Sequence, residues 1–84
     1  MEAKVMEALY DTDGNLVGLF DEIIRVKSGL KCRKGETWVL YSKDGKELLV
    51  KEAQEIQCYE NHVVICHERG WFVKDLTSAL VAHA

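Results

Sequence analysis

The chain has 84 residues, of which 48% are hydrophobic and 30% charged, and its formal net charge is −3. A chain of this length forms one domain, residues 1–84, with one modest core, and its ordinary composition argues against disorder. A negative net charge does not indicate the clustered positive surface that DNA or RNA binding usually needs. No apolar run reaches the ~18 residues of a membrane span. We therefore expect a cytoplasmic protein without nucleic-acid or membrane partners.

The first third of the chain is predicted to consist of short strands separated by turns. Residues 3–10 alternate as a strand, and the acidic segment 11–15 has the composition of a turn with Asp13-Gly14 at its tip. Strands follow over residues 16–20 and 22–27, with a bend near Asp21. Four basic residues then fall close together and are interpreted as a solvated loop: Lys27, Lys31, Arg33 and Lys34.

A β-hairpin over Glu36–Lys51 is the strongest local signal. Asp44-Gly45 lies between two apolar runs, and Gly accepts a positive φ without a Cβ clash. A two-residue loop pairs Tyr41 with Leu48, Leu40 with Leu49 and Val39 with Val50, whereas a three-residue loop shifts this register by one. In either register both faces of the hairpin are apolar at the centre, so one face needs a cover from a helix or from another chain.

The last third is predicted to contain a second hairpin, a final strand and a helix. With Glu60-Asn61 as a two-residue loop, Ile56 pairs with Ile65 and Cys58 with Val63. Residues 51–54 are interpreted as a helical turn or loop, residues 67–70 as a turn, and residues 71–73 as a strand. Asp75 is a plausible N-cap for a helix near residues 75–83. The elements predict a mainly β fold: a small antiparallel SH3-like barrel or sandwich of six to eight short strands with a short C-terminal helix.

The acidic turn invites a calcium hypothesis. Four side chains occupy positions one, three, five and twelve of an EF-hand loop, namely Asp11, Asp13, Asn15 and Glu22. Position six, where the loop needs Gly for its sharp turn, is Leu16. The alternative is an acidic hairpin turn that caps two strands.

The cysteines and histidines do not form a recognisable reactive or metal-binding pattern. Three cysteines without framework spacing are expected to be reduced thiols, and no C-x₂₋₄-C pair indicates zinc. The predicted register places Cys58 and Cys66 on opposite faces, and no carboxylate lies in an obviously apolar surround. We therefore expect neither an enzyme nor a bound cofactor.

Two stretches resemble PRC-barrel domains. In residues 11–24, DTDGNLVGLFDEII, a D-G turn, a V-G step and an acidic residue before an apolar strand are features that recur there, while residues 49–56 and 62–65 look like the closing half. The likeness covers residues 5–66 and implies a small SH3-like barrel that serves as an adaptor or assembly module. The outline is also similar to the nickel-handling barrel associated with carbon monoxide dehydrogenase maturation, which carries a cysteine after the initiator Met, where this chain has Glu2.

The leading functional prediction is a non-enzymatic module that binds protein, most simply a second copy of itself as a homodimer. Its predicted interface is the outer face of the central hairpin, Trp38, Leu40 and Leu49, because an apolar centre with a polar rim is typical of interfaces. Trp71 is a further aromatic anchor. The alternative is a small ligand- or metal-binding barrel, with calcium at the Asp11–Glu22 turn or with a nickel- or zinc-handling role.

Overall fold

A computed structural model describes residues 5–76 of the chain. These residues form nine strands: β1 Glu7–Tyr10, β2 Leu16–Phe20, β3 Glu22–Val26, β4 Gly29–Lys34, β5 Thr37–Tyr41, β6 Leu48–Ala53, β7 Glu55–Cys58, β8 His62–His67 and β9 Gly70–Asp75. The mainly β prediction is confirmed, with nine strands in the described range instead of six to eight.

The strands of residues 5–76 form three antiparallel sheets, with orders β1-β2, β3-β4-β5-β6 and β7-β8-β9. The chain changes sheet at two single residues, Asp21 and Gln54, which separate β2 from β3 and β6 from β7. The predicted barrel is wrong for this part of the chain, because no ladder among the described residues joins the three sheets into a closed cylinder. The Cα atoms extend over 45 × 35 × 16 Å, so the sheets form a flat, layered molecule.

Strand β4 corrects the prediction of a solvated basic loop. It pairs with β3 on one side and with β5 on the other, so it lies inside the four-stranded sheet. Leu30 and Cys32 point to one face and Lys31 and Arg33 to the other, which is a period of two. Sequence patterns do not predict this strand, because its side chains are mostly basic and not the β-branched ones that are typical of strands.

The central hairpin has the predicted first pair but not the predicted loop or ladder. Tyr41 lies opposite Leu48, yet Ser42 and Glu47 bracket a wider turn in which the Gly45 N–H donates to Ser42 O at 2.9 Å. Beyond Tyr41 the register shifts twice, so that Leu40 faces Val50 and Trp38 faces Ala53. Such bulges add residues to one strand and break its strict alternation. Leu49 and Val50 are adjacent but both buried in one cluster as a result.

Two hydrophobic clusters lie on opposite faces of the four-stranded sheet. Val39 packs against one and Leu40 belongs to the other, and adjacent strand residues point to opposite faces. The central cluster consists of Leu40, Leu49, Val50, Ala53, Ile56, Val63, Ile65 and Leu76. The second cluster consists of Leu9, Phe20 and Cys32. The cover that the hairpin needs is therefore supplied within one chain, by β7–β9 on one face and by β1–β2 on the other.

The β3–β4 turn joins two of the sheets. The Ser28 hydroxyl is buried and donates to the backbone oxygen of Tyr59 in the β7–β8 turn. Gly29 has φ +151°, and a Cβ on it would collide with the backbone oxygen of Tyr41. Only glycine fits this approach between β4 and β5.

The chain leaves the described region at the end of β9. Asp75, the predicted helix N-cap, is the last residue of β9, and Leu76 is buried in the central cluster. Residues 5–75 contain no helix. The rest of the predicted helix, residues 77–83, lies outside the described residues.

Candidate functional site

Two of the three predicted interface residues lie inside the fold, and the third is half-buried. Leu40 is 0% exposed and Leu49 is 8% exposed, and both belong to the central cluster. Trp38 is half-buried, with the Lys31 Nζ 4.4 Å from its ring centroid. The expectation that these side chains face solvent is wrong for Leu40 and Leu49, which are buried in the central cluster with residues of the β7–β9 sheet and Leu76, whereas Trp38 is only partly covered. Self-association itself stays a prediction, but it needs another surface.

The acidic turn holds two hairpins together. Asp11 Oδ1 accepts hydrogen bonds from the N–H groups of Asp13 and Asn15, each at 2.9 Å. The Thr12 N–H donates to Asp44 O at 3.0 Å, and Lys46 Nζ lies 2.7 Å from Asp13 Oδ2, so this turn is bound to the β5–β6 turn.

The electrostatics of this turn follow from those contacts. The hydrogen bond from the Asn15 N–H lowers the pKa of the Asp11 carboxyl. Burial opposes this shift, and the hydrogen bond from the Asp13 N–H adds to it. The side-chain hydrogen bond to Asp13 and the charge of that carboxylate raise the pKa of Lys46. These carboxylates therefore act as acceptors for backbone N–H groups and for a neighbouring ammonium.

Glu22 does not join the other three predicted calcium ligands in their turn. It lies in β3, where its carboxylate is 3.4 Å from Arg33 Nε. Within residues 5–76, no group of three or more histidine, cysteine or carboxylate side chains is arranged to hold a metal ion. The geometry thus supports the alternative, an acidic turn that caps and joins strands.

The three thiols occupy three different environments. Cys32 is fully buried, and burial raises its pKa to about 11, with a smaller contribution from Glu7. Cys58 packs against the central cluster, and burial raises its pKa, opposed by Lys31. Cys66 lies opposite Glu55 on the other face of the β7–β8 hairpin, so the predicted opposition of Cys58 and Cys66 is confirmed.

The most unusual surface of the described chain is strand β9. Trp71, Phe72 and Val73 are consecutive and are 54%, 50% and 70% exposed. β9 is the last strand of the β7-β8-β9 sheet, and among the described residues its far side pairs with nothing. Edge strands are usually protected by charge, proline or a covering element, and the centre of β9 has none of these within residues 5–76.

The outer face of this sheet continues the apolar surface of β9. Val64 lies opposite Val73, and Cys66 opposite Trp71, so these four side chains share one face. Tyr59 and His62, predicted to be neighbours, stack at one end with ring centroids 4.8 Å apart. An apolar centre with polar neighbours is the anatomy of a protein interface.

An open cleft of about 530 Å³ adjoins the other face of β9. Phe72 reaches it, with its ring centroid 5.8 Å from that of His67. Its charged lining comprises Glu36, Glu52, Glu68 and Arg69. The cleft places acidic groups beside the edge strand.

The sequence predicts Trp71 as an anchor and residues 71–73 as a strand, but not that this strand lies at the edge of its sheet among the described residues. Three consecutive large apolar residues in the last predicted strand were the available signal. Hydrophobic periodicity does not show whether such a strand lies in the centre or at the edge of its sheet, because a continuous apolar run is also typical of a buried strand.

Comparison of the chain with protein-family models, with curated proteins and with solved structures found no match. The resemblance to PRC-barrel domains therefore stays a prediction. In the described part of the chain, no helix has the length and apolarity needed to cross a membrane.

Proposed function

We propose that this chain is a non-enzymatic interaction module that binds a protein partner by adding an extended strand to β9. One observation carries the proposal: β9 is an edge strand among the described residues, and it presents Trp71, Phe72 and Val73, each at least half exposed. A strand that docks there would form backbone hydrogen bonds with β9, while its side chains, which alternate between the two faces of the sheet, would contact the side chains of β9 on each face.

The expected affinity is modest. Complete burial of a large apolar side chain is worth about 1.5–3 kcal/mol, and roughly half of Trp71 and of Phe72, but less of Val73, is already covered. The remaining gain of a few kcal/mol, with new backbone hydrogen bonds, must exceed the entropic cost of association. We therefore expect reversible binding in the micromolar range.

Other features of the chain agree with an adaptor role. The PRC-barrel resemblance implies such a module, and an SH3-like arrangement of the sheets is part of this proposal. Cys32, Cys58 and Cys66 are free thiols, which suits a reducing compartment such as the cytoplasm.

Site-specific photo-cross-linking tests the proposal. The full chain would carry p-benzoylphenylalanine at Val73 or, as a matched control, at Leu16, an exposed residue of β2 in a different sheet. After irradiation in cells, we expect position 73 but not position 16 to yield an adduct with a polypeptide identified by mass spectrometry. Equal adducts at both positions, or only a link within the same chain, would contradict the proposal.

A further inference from the structure

We infer that the strand added to β9 is β9 of a second copy, paired antiparallel about a two-fold axis at Phe72. The inference rests on the proposed function and names its partner. A two-fold contact uses the same surface twice, so the edge must be complementary to itself. The residues of β9 meet that requirement in one register.

The apolar residues determine this register. Directly opposite residues have their side chains on the same face of the sheet, whereas adjacent residues of one strand point to opposite faces. A two-fold axis between two residues would set adjacent positions opposite each other, so the axis must pass through a residue. With the axis at Phe72, Trp71 lies opposite the partner's Val73, and Phe72 lies opposite the partner's Phe72. All three exposed apolar residues then face apolar residues.

The neighbouring registers lack this match. An axis at Val73 would place Trp71 opposite the partner's Asp75 and Phe72 opposite the partner's Lys74. An axis at Trp71 would place Val73 opposite the partner's Arg69. Each of these registers sets a large apolar side chain against a charged one.

The charges at the two ends favour the same register. With the axis at Phe72, Arg69 faces the partner's Asp75 at both ends, and Lys74 faces the partner's Gly70, so no like charges are opposed. Exposed ion pairs add little affinity, but oppositely charged cross-strand pairs favour one register over another. The two sheets would join into one continuous sheet in the order β7-β8-β9-β9-β8-β7.

Sedimentation of the full chain over low to high micromolar concentration tests the association. We expect a monomer–dimer equilibrium whose dissociation constant rises at least about tenfold in Val73→Lys, because a lysine then faces the partner's Trp71. Leu16→Lys makes the same chemical change on an exposed residue of another sheet and should leave the equilibrium unchanged. Circular dichroism of each variant confirms that it retains its β structure.

Disulfide trapping tests the register. Opposite strand residues have Cα atoms ~4.5–5.5 Å apart, within disulfide range, whereas diagonal neighbours are ~7–8 Å apart and outside it. Under a mild oxidant, Phe72→Cys should link to itself across the axis and Val73→Cys should not. Mass spectrometry distinguishes this link from any bond to the native Cys66.

Three results would overturn the inference. The first is a wild-type chain that is monomeric at high micromolar concentration, and the second is a dimer that Val73→Lys does not weaken. The third is a self-link through Val73→Cys and not through Phe72→Cys, which would refute the register. If any of these occurred while position 73 still formed an adduct with a different protein, the proposed function would stand without its second copy.

Discussion

Leu49→Lys separates a core position from an interface position. Leu49 is 8% exposed within the central cluster, and its backbone oxygen accepts a hydrogen bond from Lys74 Nζ, which ties β6 to the β7–β9 sheet. The substitution forces an ammonium group between two packed sheets. Leu48, the preceding residue, is 43% exposed, so Leu48→Lys is a control with the same chemical change.

The magnitude follows from the burial. Removal of a nearly fully buried leucine forfeits about 1.5–3 kcal/mol of transfer free energy, and imperfect repacking raises typical losses to about 2–5 kcal/mol. A small domain has roughly 5–15 kcal/mol of stability, so the loss is a large fraction of the total. At about 4–8 °C per kcal/mol for a domain of this size, the melting temperature should fall by roughly 10 °C or more.

Urea unfolding followed by circular dichroism gives the free energy of unfolding for both variants. We expect Leu48→Lys to change it by less than about 0.5 kcal/mol, as for most surface substitutions. If Leu49→Lys kept wild-type stability and instead converted an oligomer to a smaller species, Leu49 would face a partner. The packing of the β7–β9 sheet over the central hairpin would then be wrong.

Three further predictions test other parts of the structure. Gly29→Ala should lower the free energy of unfolding by at least about 2 kcal/mol, clearly more than Gly35→Ala, because both glycines have a positive φ but only a Cβ at Gly29 would meet backbone atoms. Equal losses of stability in chemical denaturation would refute the close approach at Gly29. Backbone N–H groups lower the pKa of Asp11 in the folded chain, so its ionised carboxylate contributes stability above pH ~4, and this stability is lost as the pH falls through the pKa of the folded state. Asp11→Asn should therefore flatten the acid limb of a profile of stability against pH. An unchanged acid limb would contradict this prediction. Iodoacetamide should alkylate Cys66 in the native protein but Cys32 only after unfolding, because burial raises the pKa of Cys32 to about 11. Peptide mass spectrometry measures the rate at each thiol, and equally fast alkylation of Cys32 and Cys66 in the native protein would disprove the burial of Cys32.

Local signals determined the parts of the fold that depend on neighbours in sequence. The turns at Asp13-Gly14 and at Asp44-Gly45 lie where their composition predicts, and Ile56 pairs with Ile65 as the Glu60-Asn61 loop requires. Hairpin pairing follows from turn length and alternation, which are local properties. The opposed faces of Cys58 and Cys66 follow from the same register.

Local signals failed where packing overrides them. Strand β4 is rich in basic residues, yet it pairs with β3 on one side and with β5 on the other. The bulges of β6 bury both Leu49 and Val50 in one cluster, which strict alternation forbids. Intrinsic strand preference is weaker than such tertiary context.

The sequence alone determined that the central hairpin is apolar on both faces and that Trp71-Phe72-Val73 forms a strand. Only the tertiary structure decided which of these apolar surfaces is covered. Leu40 is buried under the β7–β9 sheet, whereas β9 itself is an edge strand among the described residues. The physical reason is that hydrophobicity belongs to a side chain, whereas burial is a relation between segments far apart in the chain. For this protein that difference moved the candidate interface from the middle of the chain to its last described strand.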